Sequence, residues 1–137
     1  MSNPSTFDPT TTGQIIDGTA LAANIRSSIA TQIKELSEKT QGYFQPHLVI
    51  LQAGARPDSS VYVRMKAKAA AECGMKFTHV QLDAEATVED IVQRVKHLNS
   101  DSSVSGILVQ LPLGEHVGAE GERTVTEAIS PEKDVDG

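Results

Sequence analysis

The chain has 137 residues, 39% of them hydrophobic and 22% charged, and 12 basic against 18 acidic residues give a formal net charge of −6. This length is typical of one globular domain, and the negative charge argues against a protein that binds nucleic acid electrostatically. No apolar run approaches the ~20 residues that span a bilayer, and the single cysteine, Cys73, excludes an internal disulfide. We therefore expect a soluble, cytoplasmic domain with neither nucleic-acid nor membrane partners.

The amino-terminal third of the chain predicts a tail, a helix and a buried strand. Residues 1–13 are rich in Ser, Thr and Pro, which is typical of a disordered tail. Apolar residues then recur at steps of three and four, which predicts an amphipathic helix capped by Asp17 or Thr19 and ending near residues 41–42. Its apolar stripe consists of Leu21, Ile25, Ile29, Ile33 and Leu36. Residues 48–51 form a short apolar run that predicts a strand buried on both faces.

The rest of the chain repeats this alternation of helices and strands. We predict a helix over residues 59–73 with Asp58 or Ser59 as its cap, a strand over 76–82, a helix opened by a capping box at 87–90, and a strand over 106–112. Residues 114–121 are expected to form a loop and 124–129 a short helix. Such alternation indicates an α/β fold: a parallel sheet of βαβ units with helices on both faces, in three αβα layers.

The familiar motifs of nucleotide, metal and hydrolase sites do not occur. The chain has no G-x-G-x-x-G, no C-x-x-C, no H-E-x-x-H and no G-x-S-x-G, and its four histidines have no ligand spacing. We therefore predict no cofactor-binding residues and no metal site within the chain.

One helix carries a candidate site. Tyr62 and Lys66 are four residues apart, which places them on one helix face, with Ser59 near that face one turn earlier. This helix follows the carboxyl end of a predicted strand, where α/β proteins bind ligands. A lysine facing such a crevice loses solvation and can transfer protons, and a tyrosine ring can stack on a substrate. The alternative is a surface lysine whose stem covers an aromatic ring.

Two further segments contain candidate polar groups. Gln110 ends an otherwise apolar strand, where it either hydrogen-bonds a lysine or a ligand, or simply begins the loop. Asp134 and Asp136 place two carboxylates near residue 137, and paired acids of this kind are usually solvated.

Five segments, in this order and spacing, resemble the bifunctional methylenetetrahydrofolate dehydrogenase/cyclohydrolase family. They are Pro46-His47-Leu48, residues 56–66 (RPDSSVYVRMK), residues 98–101 (LNSD), residues 106–113 (GILVQLPL) and residues 131–137 (PEKDVDG). The resemblance covers residues 14–137 and implies the amino-terminal, catalytic half of a two-domain enzyme. It implies oxidation of 5,10-methylenetetrahydrofolate with NADP or NAD, followed by hydrolysis of the methenyl product to 10-formyltetrahydrofolate.

The resemblance also implies roles for individual residues. Lys66 would transfer the proton in the hydrolytic step, Gln110 would hold and tune Lys66, and Tyr62 would pack against the folate. Asp136 would accept hydrogen bonds from the pterin ring, which Val109 and Leu111 would flank. The residues implied to bind substrate are Ser59, Tyr62, Lys66, Val109, Gln110, Leu111 and Asp136.

The family continues beyond the position of Gly137 into a domain that binds NADP or NAD. We therefore expect the cofactor site to be absent from this chain, and the isolated chain to show little or no dehydrogenase turnover. The complete enzyme is expected to be a homodimer. The alternative is a truncated, non-catalytic module that binds folate or mediates dimerisation.

Overall fold

The computed structural model describes residues 13–137, in which helices and strands alternate along the chain. The elements are α1 (Gly18–Lys39), β1 (His47–Ala53), α2 (Pro57–Glu72), β2 (Lys76–Leu82), α3 (Val88–Ser100), β3 (Gly106–Val109), α4 (Gly118–Glu127) and a 3-10 turn (Pro131–Lys133). The predicted tail lies outside the described residues except for Gly13. None of the helices between residues 13 and 137 combines the length and apolar character that a membrane-spanning helix needs.

The three strands form one parallel sheet in the order β2-β1-β3. β1 pairs with β2 over its whole length and with β3 over four residues, from Leu48 opposite Gly106 to Leu51 opposite Val109. As the central strand, β1 has neighbours on both sides and helices over both faces, which explains its continuous apolar sequence.

Side chains alternate between two cores along β1. Val49 and Leu51 face one side, where they belong to a core cluster with Ile91 and Val95 of α3 and Val125 of α4. On the opposite face, a smaller cluster joins β1 and β3 to α2; it contains Ile50, Val63 and Leu108. Helices therefore cover both faces, and the predicted α/β architecture is confirmed.

Local sequence signals explain where α1 and α3 begin. The Thr87 hydroxyl accepts a hydrogen bond from the Asp90 backbone N–H at 3.2 Å, and the Asp90 carboxylate accepts one from the Thr87 N–H at the same distance. The predicted capping box is thus present. Of the two candidate caps of α1, Asp17 is the one used: its carboxylate accepts from the Ala20 N–H at 3.0 Å.

Three predicted boundaries are wrong. α2 begins at Pro57, and neither Asp58 nor Ser59 caps it, because proline suits the first helical position. β3 ends at Val109, although the Gln110 N–H adds one further bond to the Leu51 carbonyl.

The third error concerns α4, which begins at residue 118, inside the predicted loop. Gly121 belongs in this helix because a Cβ there would lie 2.7 Å from Val117 and 2.9 Å from Val88 side-chain atoms. The glycine permits close packing of α4, where the sequence pattern suggests a break.

The apolar stripe of α1 is only partly covered. No residue of α1 is buried, and Leu21 and Ile25 remain 53% and 51% exposed. The helix contacts α2 through an ion pair between Arg26 and Glu72 at 2.7 Å. The predicted helix is confirmed, but most of its apolar face has no cover among residues 13–137.

Candidate functional site

The sheet topology brings Lys66 and Gln110 together. α2 follows the carboxyl end of β1, and Gln110 follows the carboxyl end of β3. The start of α2 and Gln110 therefore lie at the end of the sheet where the carboxyl ends of these strands meet. The half-buried Lys66 donates a hydrogen bond from Nζ to Gln110 Oε1 at 2.8 Å, across 44 residues of sequence. The Gln110 amide nitrogen donates to the Leu111 carbonyl at 3.2 Å. This second bond orients the carboxamide with its oxygen towards the lysine.

A cavity of about 320 Å³ lies beyond the carboxyl end of β3, against α4, and neither Lys66 nor Gln110 is among its lining residues. Val109 and Leu111, which flank Gln110 in the chain, line it together with Asp136; the other lining residues are Thr126, Glu127, Ile129, Asp134 and Gly137. Asp136 is exposed, and its backbone N–H donates to the Asp134 carboxylate at 3.3 Å. The cavity therefore combines apolar side chains with three exposed carboxylates, one of them that of Asp136, which can accept hydrogen bonds from a ring that carries N–H donors.

Ser59 and Tyr62 lie on the same helix as Lys66 but do not line this cavity. Ser59 is buried in the first turn of α2, where its backbone N–H donates to the Asp58 carboxylate at 2.9 Å. Tyr62 is 57% exposed, one turn before Lys66. The structure thus joins Lys66 to Gln110 directly and gathers Val109, Leu111 and Asp136 around one cavity, but it does not bring Ser59 or Tyr62 into that cavity.

The sequence pattern did not identify one buried polar group, which lies beneath α2. Gln52, near the end of β1, is 1% exposed; its Oε1 lies 2.9 Å from His79 Nε2, and its Nε2 donates to Ser60 Oγ at 3.4 Å. These bonds tie the first turn of α2 to β1 and β2. The available signal was a glutamine near the carboxyl end of an apolar strand, the same signal that singled out Gln110.

Arg56 and Asp58 form an ion pair with two hydrogen bonds, of 3.1 and 2.9 Å, at the amino end of α2. The hydrogen bond from Arg56 lowers the pKa of the Asp58 carboxyl below its ordinary 3.8, helped by the Ser59 N–H. This pKa is lower in the folded chain than in the unfolded chain. The ionised carboxylate therefore stabilises the fold at pH values above the ordinary pKa, and this stabilisation is lost as the pH falls through the pKa of the folded chain.

Arg56→Gln is expected to raise the pKa of Asp58 towards 3.8, because the charged partner and its hydrogen bonds are lost. An NMR titration of the side-chain carboxyl carbons measures this directly. Arg123→Gln is the matched control, since Arg123 pairs with Glu127 in α4 and that change should leave Asp58 unaffected. A pKa of Asp58 that does not rise in Arg56→Gln would contradict the assignment.

Comparison with known proteins agrees with the resemblance. The family "tetrahydrofolate dehydrogenase/cyclohydrolase, catalytic domain" matches residues 16–136. The cytoplasmic C-1-tetrahydrofolate synthase of Saccharomyces cerevisiae is 46% identical over 125 residues, covering 91% of this chain but 13% of the relative. The chain therefore spans only a small part of this relative's length.

Solved structures give the same match at the level of the fold. The 5,10-methylenetetrahydrofolate dehydrogenase of the silkworm Bombyx mori superimposes with a TM-score of 0.83 at 36% identity, covering 92% of this chain and 42% of that one. The Trypanosoma brucei methylenetetrahydrofolate dehydrogenase-cyclohydrolase, complexed with NADP and an inhibitor, gives 0.82 at 36% identity, covering 90% and 40%. The predicted relationship is confirmed, and the chain belongs to the tetrahydrofolate dehydrogenase/cyclohydrolase family, whose catalytic domain it matches.

Proposed function

We propose that this chain supplies the folate-binding and proton-transfer half of a methylenetetrahydrofolate dehydrogenase/cyclohydrolase of one-carbon metabolism. The complete enzyme oxidises 5,10-methylenetetrahydrofolate to the methenyl form and hydrolyses that to 10-formyltetrahydrofolate. The observation that carries the proposal is the 2.8 Å hydrogen bond from Lys66 Nζ to Gln110 Oε1. It is supported by a cavity that Val109 and Leu111, the chain neighbours of Gln110, line together with Asp136.

Lys66 is proposed to move the proton in the hydrolytic step. The methenyl bridge is a cationic carbon, and water that attacks it must lose a proton. An unprotonated amine can accept that proton without repelling the cation and can pass it to the ring nitrogen when the carbon–nitrogen bond breaks, while the proton of the new hydroxyl group leaves to solvent as the formyl C=O forms. Gln110 provides the amine with an uncharged partner, and Lys66 forms no ion pair with a carboxylate among residues 13–137.

The neighbouring groups are proposed to hold the pterin. Val109 and Leu111 provide apolar walls, and Asp136 accepts hydrogen bonds from the ring's N–H groups. Tyr62 stacks on the folate, and Ser59 contributes from the first turn of α2. A ring held at both an edge and a face keeps its one-carbon unit in place for proton transfer.

The dehydrogenase step needs NADP or NAD, which supplies the hydride acceptor when bound. Residues 13–137 do not fit this cofactor: the β1–α2 loop is Gly54-Ala55-Arg56, and no G-x-G-x-x-G fingerprint follows any of the three strands. We therefore assign the cofactor to a domain outside this chain and derive no step through it.

The relatives' names support a proposal for the cellular setting. Those names include both cytoplasmic and mitochondrial C-1-tetrahydrofolate synthases, and we propose the cytoplasm for this chain. Homodimerisation of the complete enzyme stays a prediction.

A non-catalytic association module is the second candidate, favoured by the half-exposed apolar side chains Leu21, Ile25, Val61 and Met65. Size-exclusion chromatography separates the two candidates, because such a module would associate with or without folate.

Calorimetric titration of the chain with 5,10-methenyltetrahydrofolate tests the first proposal. We expect weak but measurable binding that Asp136→Asn reduces by about tenfold or more, since a hydrogen bond to a charged group contributes about 1.5–3 kcal/mol. Glu89→Gln, which neutralises an exposed carboxylate in α3, is the control and should bind as the unaltered chain does. Absence of binding at millimolar ligand, or equal binding by Asp136→Asn, would overturn the proposal.

A further inference from the structure

We propose that Asn99 and Lys133 are positioning residues that fix the Asp136 carboxylate at the rim of the cavity. Their side chains tie residues 128–133 to the carboxyl end of α3, and we name these hydrogen bonds the brace. The inference rests on the proposed function, because it concerns the carboxylate that would recognise the pterin's N–H donors.

Asn99 provides the first part of the brace. Its side-chain nitrogen donates to the Ala128 carbonyl at 2.8 Å, and its side-chain oxygen accepts from the Ser130 N–H at 3.0 Å. The carboxamide thus uses a donor and an acceptor on two backbone groups of one short segment. Aspartate and leucine, which are of similar size, lack the N–H donor that the Ala128 carbonyl needs.

Lys133 provides the second part. Its ammonium group donates to the carbonyls of Leu98 at 3.1 Å and Asp101 at 2.6 Å, both at the end of α3. Carbonyls at the carboxyl end of a helix form the negative end of its dipole and attract cations, so this is a favourable place for a lysine. The amine therefore fastens the 3-10 turn to a helix that lies more than 30 residues away in sequence.

Core packing contributes little to the position of residues 130–137. None of residues 130–137 is buried, and their one β-type contact with the sheet is a parallel bridge between Asp134 and Ile107. The side-chain bonds of the brace therefore supply much of the restraint on this segment.

Two contacts couple the position of Asp136 to that of Lys133. The Asp134 carboxylate accepts from the N–H groups of Asp136 at 3.3 Å and Gly137 at 2.9 Å, which makes a tight turn. Val135 lies over Gly106 of β3, where an added Cβ would come within 2.8 Å of the valine side chain. Small displacements of Lys133 should therefore reach Asp136.

A double-mutant cycle on the full chain tests whether Lys133 acts through Asp136. Titrated with 5,10-methenyltetrahydrofolate, Lys133→Met and Asn99→Ala should each lower affinity about threefold to tenfold, the range of one or two net hydrogen bonds. In an Asp136→Asn background, Lys133→Met should cause no further loss. Lys133→Arg, which keeps N–H donors, should restore affinity, and Lys96→Met on the exposed face of α3 is the matched control. Additive losses, or unchanged affinity in both single variants, would overturn the inference.

A second measurement tests whether the brace restrains this segment, and it does not require folate binding. Absence of folate binding would count against the proposed function but not against the brace. Backbone ¹⁵N relaxation should give Asp134 and Val135 order parameters near ~0.85 in the unaltered chain and below ~0.6 in Lys133→Met, while β1 stays rigid in both. Equal order parameters in the two proteins would show that the segment is held without Lys133.

Discussion

Replacing Lys66 by methionine is expected to slow hydrolysis of 5,10-methenyltetrahydrofolate by about 10²- to 10⁴-fold, the contribution of a positioned proton-transfer group. Methionine keeps most of the apolar stem but removes the amine that donates to Gln110. The measurement is single-turnover hydrolysis by an enzyme in which this chain is joined to the remaining domain of a solved relative. Folate affinity should change little, because the pterin contacts are assigned to other residues.

Lys68→Met controls for the loss of a positive charge on α2, since Lys68 lies two residues further along the helix and is exposed. It should hydrolyse the substrate at the unaltered rate. A Lys66→Met enzyme that retains full hydrolytic activity would remove this lysine from the mechanism and leave the domain a role in binding alone.

The largest effect on stability is expected from Ile50→Ala, which should lower the free energy of unfolding by about 2–5 kcal/mol. Ile50 is fully buried in the central strand and packs with Val63, through which α2 is held on the sheet. Truncation removes apolar contact area and leaves a cavity at that junction. Urea unfolding followed by circular dichroism measures the change.

Ile16→Ala removes the same atoms from a side chain that is 85% exposed, and it should alter stability by no more than about 0.5 kcal/mol. The difference between the two isoleucine variants isolates the contribution of burial. A loss below about 1 kcal/mol in Ile50→Ala would contradict the assignment of this residue to the core between β1 and α2.

Periodicity predicts the parts of the fold that local sequence determines. The stripe of α3 was predictable because Ile91, Val95 and Leu98 repeat at helical spacing behind a capping box, and all three are buried. β1 was predictable because a short apolar run suits a strand covered on both sides. The start of α4 was not, since Gly118 suggests a loop and the reason for Gly121 is contact with Val88, distant in sequence.

The contacts of the candidate site also differ in how far the sequence predicts them. The pairing of Lys66 with Gln110 was predictable from the family resemblance, whereas the residue pattern alone left open whether Gln110 bonds a lysine or begins the loop, because the order of the strands is not set by local sequence. Gln52 could not be assigned a partner, since its contact with His79 depends on strand register. The contact between Lys133 and the end of α3 likewise depends on tertiary structure, so nothing in the local sequence indicates it.

The bridge between Asp134 and Ile107 has a consequence for solubility. β3 is an outer strand of the sheet, and an outer strand offers unpaired amide and carbonyl groups to any other extended chain. By pairing with Ile107, the segment that presents Asp136 also blocks part of that outer edge. A change that detaches this segment would therefore do more than displace Asp136, because it would open a template for intermolecular strand pairing and aggregation.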